Sequence, residues 1–106
     1  MKCKTKTKPS AVSLLDSRIV YSETSFAELV IWQLPAALPG SRHRHKYRLA
    51  FVVNGDCVIR YDNESGKGDH RHTGAHERSY VFVDVDKLLA DFQHDIRRFQ
   101  DENRNT

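Results

Sequence analysis

His70 and His72 stand two residues apart at the end of a polar stretch, Arg60 to His72, that reads Arg-Tyr-Asp-Asn-Glu-Ser-Gly-Lys-Gly-Asp-His-Arg-His. A free imidazole titrates near pH ~6.5, so two of them can divide general-base and general-acid work at neutral pH. RNA transesterification needs that division: one group removes the 2′-hydroxyl proton and the other protonates the leaving oxygen. Lys67, Arg71 and Arg60 supply cations that could stabilise the extra negative charge on a phosphorane. Asp62 or Asp69 could fix a histidine tautomer. The spacing leaves open which histidine would be base and which acid.

Other chemistry fits the same residues less well. A His-x-His pair on a strand directs both rings to one side, and with His76 it could hold zinc. Arg71 and Lys67 would then set cations beside the metal, so metal-free catalysis is the better reading, and no metal or cofactor is expected. Gly66-Lys67-Gly68 lacks the Gly-x-x-x-x-Gly-Lys-Ser/Thr pattern of a nucleotide phosphate loop, although its glycines could let backbone amides approach one phosphate. Cys57 lies in an apolar strand and reads as core. The plainest alternative makes Gly66 to Gly68 a flexible turn and the histidines ordinary surface residues.

A second constellation lies upstream. Arg42, Arg44, Lys46 and Arg48 alternate, so on a strand they would form one cationic stripe able to track a phosphate backbone. Trp32, Tyr47 and Tyr61 fall on neighbouring strands, and aromatics interleaved with cations suit unpaired bases. The alternative is a solvated strand face.

The elements that position these groups follow from composition and pattern. A chain of 106 residues, 39% hydrophobic and 29% charged, suits one globular domain. Its net charge of +3 favours an acidic partner, while acids gather toward the C-terminus. Only Cys3 and Cys57 are present, which speaks against a disulfide framework and for a reducing compartment. No apolar run approaches the ~18–20 residues of a membrane span. The expectation is a cytoplasmic protein with no membrane association.

Residues 1–9 read as a lysine-rich flexible tail and residues 10–106 as one domain. Ala11 to Leu15 suggest a turn of helix. Arg18 to Tyr21 and Phe26 to Leu34 suggest a hairpin about Glu23-Thr24-Ser25, and Pro35 to Ser41 a loop. Asn54-Gly55 predicts a tight hairpin between Arg42–Val53 and Asp56–Asn63. A two-residue turn there would set Phe51 opposite Val58, Leu49 opposite Arg60 and Arg48 opposite Tyr61. Gly66 to His72 then reads as a loop, Ser79 to Val83 as a short strand, and Asp84 or Asp86 as the cap of a helix to about Gln100, with 101–106 frayed. Leu88, Leu89, Phe92, Ile96 and Phe99 recur at helical spacing. The fold class is α+β: an antiparallel meander of roughly four to five strands with a C-terminal helix packed on one face. An exposed edge strand could accept a second copy of the chain or a partner segment.

Five blocks, Val30-Ile-Trp-Gln-Leu-Pro35, Lys46-Tyr-Arg-Leu-Ala-Phe51, Arg60-Tyr-Asp-Asn-Glu64, Gly66-Lys-Gly-Asp-His-Arg-His72 and Leu88-Leu-Ala-Asp-Phe92, together resemble the TumE family. The resemblance covers nearly all of the chain after the lysine tail. It implies the toxin component of a prokaryotic toxin-antitoxin pair, with a cognate antitoxin as partner. Arg44 departs from the family's pattern, where an aromatic or small residue is expected, and adds charge to the ladder. With the histidine chemistry above, the leading expectation is a toxin that binds RNA on a basic sheet face and cleaves it without metal. A non-catalytic binder of nucleic acid or of another target is the alternative, followed by a metal-dependent nuclease and by transfer of a nucleotide or phosphoryl group.

Overall fold

In the computed structural model, which describes residues 11–104, six strands precede one helix. They are β1 (Val12–Ser22), β2 (Ser25–Gln33), β3 (His45–Val53), β4 (Asp56–Glu64), β5 (Gly68–Thr73), β6 (His76–Ser79) and α1 (Val85–Arg104). Each strand pairs antiparallel with the next, giving one sheet in the order β1 to β6. The meander and its covering helix agree with the expected class, with six strands in place of four to five. The expected tail, 1–9, lies outside the described residues.

The extra strands arise where apolar alternation is weak. β5 reads Gly-Asp-His-Arg-His-Thr, and β6 reads His-Glu-Arg-Ser. Neither has a hydrophobic face, so the 66–72 stretch looked like a loop, yet the backbone ladder and cross-strand charges carry both strands. Residues 12–15 belong to β1 and are not a turn of helix. The strand expected at Ser79 to Val83 is displaced to His76–Ser79, because Gly74 turns the chain at φ 60° just before it.

The Asn54-Gly55 turn is as expected, with both residues at positive φ and Val53 opposite Asp56. Beyond it the register changes: Val52 faces Cys57 but Phe51 faces Ile59. Val58 is therefore the extra residue of a bulge, and every later pair moves by one place. Leu49 faces Tyr61, Ala50 faces Arg60 and Arg48 faces Asp62, correcting the expected pairings. The slip sorts the residues, because a one-residue shift exchanges faces. Ile59 and Tyr61 join Leu49 and Phe51 on one side, and Arg60 and Asp62 join Arg48 on the other. Cys57 is left exposed near the turn rather than in the core.

The apolar side receives α1. Ala27, Leu29, Ile31, Tyr47, Leu49, Phe51, Ile59 and Tyr61 pack with Leu88, Phe92 and Ile96, all buried. Asp84 caps the helix by accepting the Lys87 N–H at 2.7 Å. The helix runs past Gln100 to Arg104, with Asn103 Nδ2 donating to the Phe99 carbonyl at 2.8 Å. At the open end of the β3–β4 hairpin the buried Asn63 replaces ladder bonds. Its Oδ1 accepts from Tyr47 N–H at 3.0 Å and its Nδ2 donates to the His45 carbonyl at 2.7 Å.

Candidate active site

Strand β5 sends neighbouring residues to opposite sides of the sheet, since successive side chains alternate. Asp69 and Arg71 point to the helix side. His70 and His72 point to the side that no element covers among the described residues. There the register aligns Arg48, Asp62, His70 and Ser79 in one row, and Ala50, Arg60, His72 and Glu77 in the next. Four of the seven predicted catalytic residues, Arg60, Asp62, His70 and His72, are thus gathered on the open face.

Their contacts define proton positions. His70 Nε2 lies 2.8 Å from the Lys67 carbonyl oxygen, which can only accept, so Nε2 carries a hydrogen. His70 Nδ1 lies 3.2 Å from Glu77 Oε2. His72 Nε2 lies 3.0 Å from Arg60 Nη2, which can only donate, so this nitrogen presents its lone pair. Glu77 Oε2 is 3.5 Å from the same atom, and Arg60 Nε is 3.2 Å from Asp62 Oδ2. Arg60 Nε and His70 Nδ1 are near these carboxylates but not aligned for a hydrogen bond, and both atoms are buried, so each holds unused capacity behind its carboxylate neighbour. The two imidazoles are about three-quarters buried, and Glu77 is half-exposed.

The remaining predicted residues sit elsewhere. Asp69 accepts from the Tyr47 hydroxyl at 2.6 Å and lies 2.8 Å from His43 Nε2, under the helix side of the sheet. Arg71 grips Asp95 of α1 through Nε at 3.0 Å and Nη2 at 2.7 Å, and the Tyr61 hydroxyl donates to the same carboxylate at 2.5 Å. Burial alone would lower the Arg71 guanidinium, but the hydrogen bond to Asp95 together with the charges of Tyr61, Asp95 and Asp91 more than offsets it and raises the group above its ordinary value. Burial, then the carboxylate partner, pushes the Tyr47 and Tyr61 phenols far above their ordinary range, so both remain donors. Lys67 sits in the β4–β5 turn with its amine in solvent, 3.9 Å from Glu64, and only its carbonyl meets His70. That turn is held by the 34–44 loop: Gly66 N–H donates to the Pro39 carbonyl at 2.7 Å.

The cationic ladder is shorter than expected. Arg42 and Arg44 precede β3, and only Lys46 and Arg48 stand on it, both toward the open face. Tyr47 and Tyr61 are buried in the core and cannot stack on bases, which corrects their assignment to a nucleic-acid surface. Trp32, opposite Lys46 and 38% exposed, is the aromatic residue that this face offers instead. Glu77 went unnoticed in the sequence. Gly74 was its signal, since a turn there folds β6 back and sets Glu77 against His72. His76 pairs with Thr73 and so falls on the side away from His70 and His72. Among the described residues no group of three or more His, Cys, Asp or Glu is arranged to hold a metal.

A family model described as Toxin TumE matches residues 8–100. The chain belongs to the TumE family. No curated protein and no solved structure matches it. Within this TumE fold the two blocks densest in chemistry, Arg60 to Glu64 and Gly66 to His72, are facing strands joined by one turn. Membership gives the chain a toxin's role, and with it an antitoxin as the general class of partner. Among the described residues no helix of this TumE chain is long and apolar enough to cross a membrane.

Proposed function

We propose that this toxin is a metal-independent endoribonuclease that acts on cellular RNA in the cytoplasm, with His72 as general base and His70 as general acid. One observation carries the reading: the two imidazoles share the open face, one with its Nε2 hydrogen fixed by a carbonyl and the other with its Nε2 lone pair held by Arg60. A scissile phosphate entering this face competes for Arg60, which turns its donors to the phosphate oxygens. His72 Nε2 is thereby released to take the 2′-hydroxyl proton. The 2′-oxygen attacks phosphorus, and the bond from phosphorus to the 5′-oxygen breaks. His70, entering with hydrogens on both nitrogens, gives its Nδ1 proton to that oxygen once Glu77 turns aside and exposes the nitrogen it buries. The products are a 2′,3′-cyclic phosphate and a 5′-hydroxyl.

The other groups have defined parts. Arg60 stabilises the phosphorane charge, and Asp62, beside Arg60 Nε, orients it. Glu77, 3.2 Å from His70 Nδ1, favours the charged His70 ring by its own negative charge and acts as a positioning residue. Lys46 and Arg48 meet flanking phosphates, and Trp32 offers a face to an unpaired base. Asp69, Arg71 and Lys67 have no place in the chemistry by this account. Arg71 and Asp69 hold the sheet, and Lys67 lends its carbonyl.

Purified protein incubated with total RNA, with and without chelator, tests the assignment. Cleavage unaffected by chelator is the expected result. Loss of cleavage with chelator would replace it with a metal-dependent nuclease, and RNA that stays intact but bound would replace it with a sequestering protein.

A further inference from the structure

The two edges of the sheet differ. β6 is four residues long and polar, a form that resists pairing with other chains. β1 runs for 11 residues, pairs with no strand on its outer edge among the described residues, and exposes Val12, Leu14, Ile19 and Val20. An exposed edge of this length with apolar side chains is a template for another strand.

The sequence of β1 says which strand fits. Leu14-Leu15-Asp16-Ser17-Arg18-Ile19-Val20 is symmetric about Ser17: apolar, apolar, acid, centre, base, apolar, apolar. We infer that β1 is the seam of a two-fold homodimer in which two copies pair antiparallel about Ser17. That register places Asp16 of each copy opposite Arg18 of the other, and Leu15 opposite Ile19. The faces agree as well. Asp16 and Arg18 pair with Val30 and Glu28 and lie on the open face, whereas Leu15 and Ile19 pair with Ile31 and Ala27 on the helix face. Shifting the register by one residue on one strand would set apolar side chains against charges, so the pattern selects a single pairing.

The groove beside β1 supports the same occupant. Leu15, Ile19, Leu89, Phe92 and Ile96 line an apolar cleft of about 240 Å³ between the strand and α1. A two-fold axis normal to the sheet puts both helices on the same side, so the cleft of one copy adjoins that of the other along Leu15 and Ile19. It leaves both histidine clusters on the opposite side, four strands from the seam, where RNA can still reach them.

Charge exchange tests the register. The native chain should sediment as a dimer, while D16R alone and R18D alone place like charges opposite each other twice and should dissociate at about tenfold lower dilution or more. Mixing the two variants should restore the dimer as a heterodimer, because one chain then presents only cations and the other only acids. Arg18 also stacks on Phe26 at 3.9 Å and faces Glu28 at 3.8 Å, so far-UV circular dichroism should accompany R18D. A cross-link gives a second readout that does not depend on charge. In a C3S/C57S background, S17C should oxidise to a disulfide-linked dimer and S13C should not, since only residue 17 meets its own copy. A native monomer at ~100 µM would overturn the proposal. So would a single-charge variant that dimerises as the native chain does, or S13C cross-linking as readily as S17C.

Discussion

On β5, consecutive residues meet opposite fates. Arg71 faces the helix and is committed there: one edge of its guanidinium, Nε and Nη2, grips Asp95, to which the Tyr61 hydroxyl also donates, and the carboxylate is 4% exposed. His70 and His72, one residue to either side, face no covering layer among the described residues and keep donor and acceptor capacity in hand. The difference teaches how a small domain divides its polar groups. Under the helix Arg71 and Asp95 are paired with each other, because an unpaired buried charge costs several kcal/mol. On the other face Arg60 Nε and His70 Nδ1 are themselves buried and left without a hydrogen-bond partner beside Asp62 and Glu77, capacity that a substrate completes once those carboxylates turn aside. Both sets are equally polar in sequence, and alternation along one strand separates structural from chemical duty.

Substitutions should split along the same line. Replacing His70 and His72 together by alanine should lower RNA cleavage by about 10²–10⁴-fold, a range set by general acid–base catalysis. Urea unfolding of that variant should stay within about 1 kcal/mol of native, since neither ring is in the core. Asp95→Ala should do the reverse. It strands the Arg71 guanidinium and the Tyr61 hydroxyl, so denaturant titration should find about 3 kcal/mol lost, with specific activity retained in the folded fraction. Glu77→Gln keeps the shape of the positioning group but removes its charge. Cleavage should slow about tenfold with little change in substrate affinity, which kcat and KM measured separately will show.

Arg48→Ala sharpens the comparison from the binding side. RNA affinity should fall across all sequences, and the slope of log affinity against log salt should flatten by about 1. The smallest effect is expected at His45, on the helix side, where burial, then His43 and Arg44, hold the imidazole below its usual 6.5. Above that pH the folded and unfolded states are both neutral there, and its full contribution is present. As pH falls below 6.5 the unfolded chain takes a proton that the folded chain resists, so stability is lost. Thermal unfolding between pH 7 and pH 5 should show that decline, and His45→Gln should reduce it.

Much of the frame was legible in the residues. Asn54-Gly55 announced its turn, and Leu88, Phe92 and Ile96 announced a helix capped by Asp84 or Asp86, of which Asp84 accepts the Lys87 N–H. What escaped was whatever depended on contacts between distant residues. Nothing local marks Val58 as a bulge, yet its one-residue slip decides that Arg60 and Asp62 share a face with the histidines. β5 and β6 carry no apolar alternation, so their pairing could not be seen until β4 offered an edge. Tyr47 and Tyr61 looked suited to bases because type and spacing do not report side, and the register turned them inward. Asp95, on a helix more than twenty residues away in sequence, claims Arg71 and thereby removes it from the site.

The central claim is that two imidazoles on an uncovered sheet face transfer protons without a metal, and the ends of the cleaved RNA test it most directly. The account predicts 2′,3′-cyclic phosphate and 5′-hydroxyl termini, formed equally in chelator, and no scission at a position whose nucleotide lacks the 2′-hydroxyl. Termini of 3′-hydroxyl and 5′-phosphate, or cleavage that persists at the 2′-deoxy position, would contradict it.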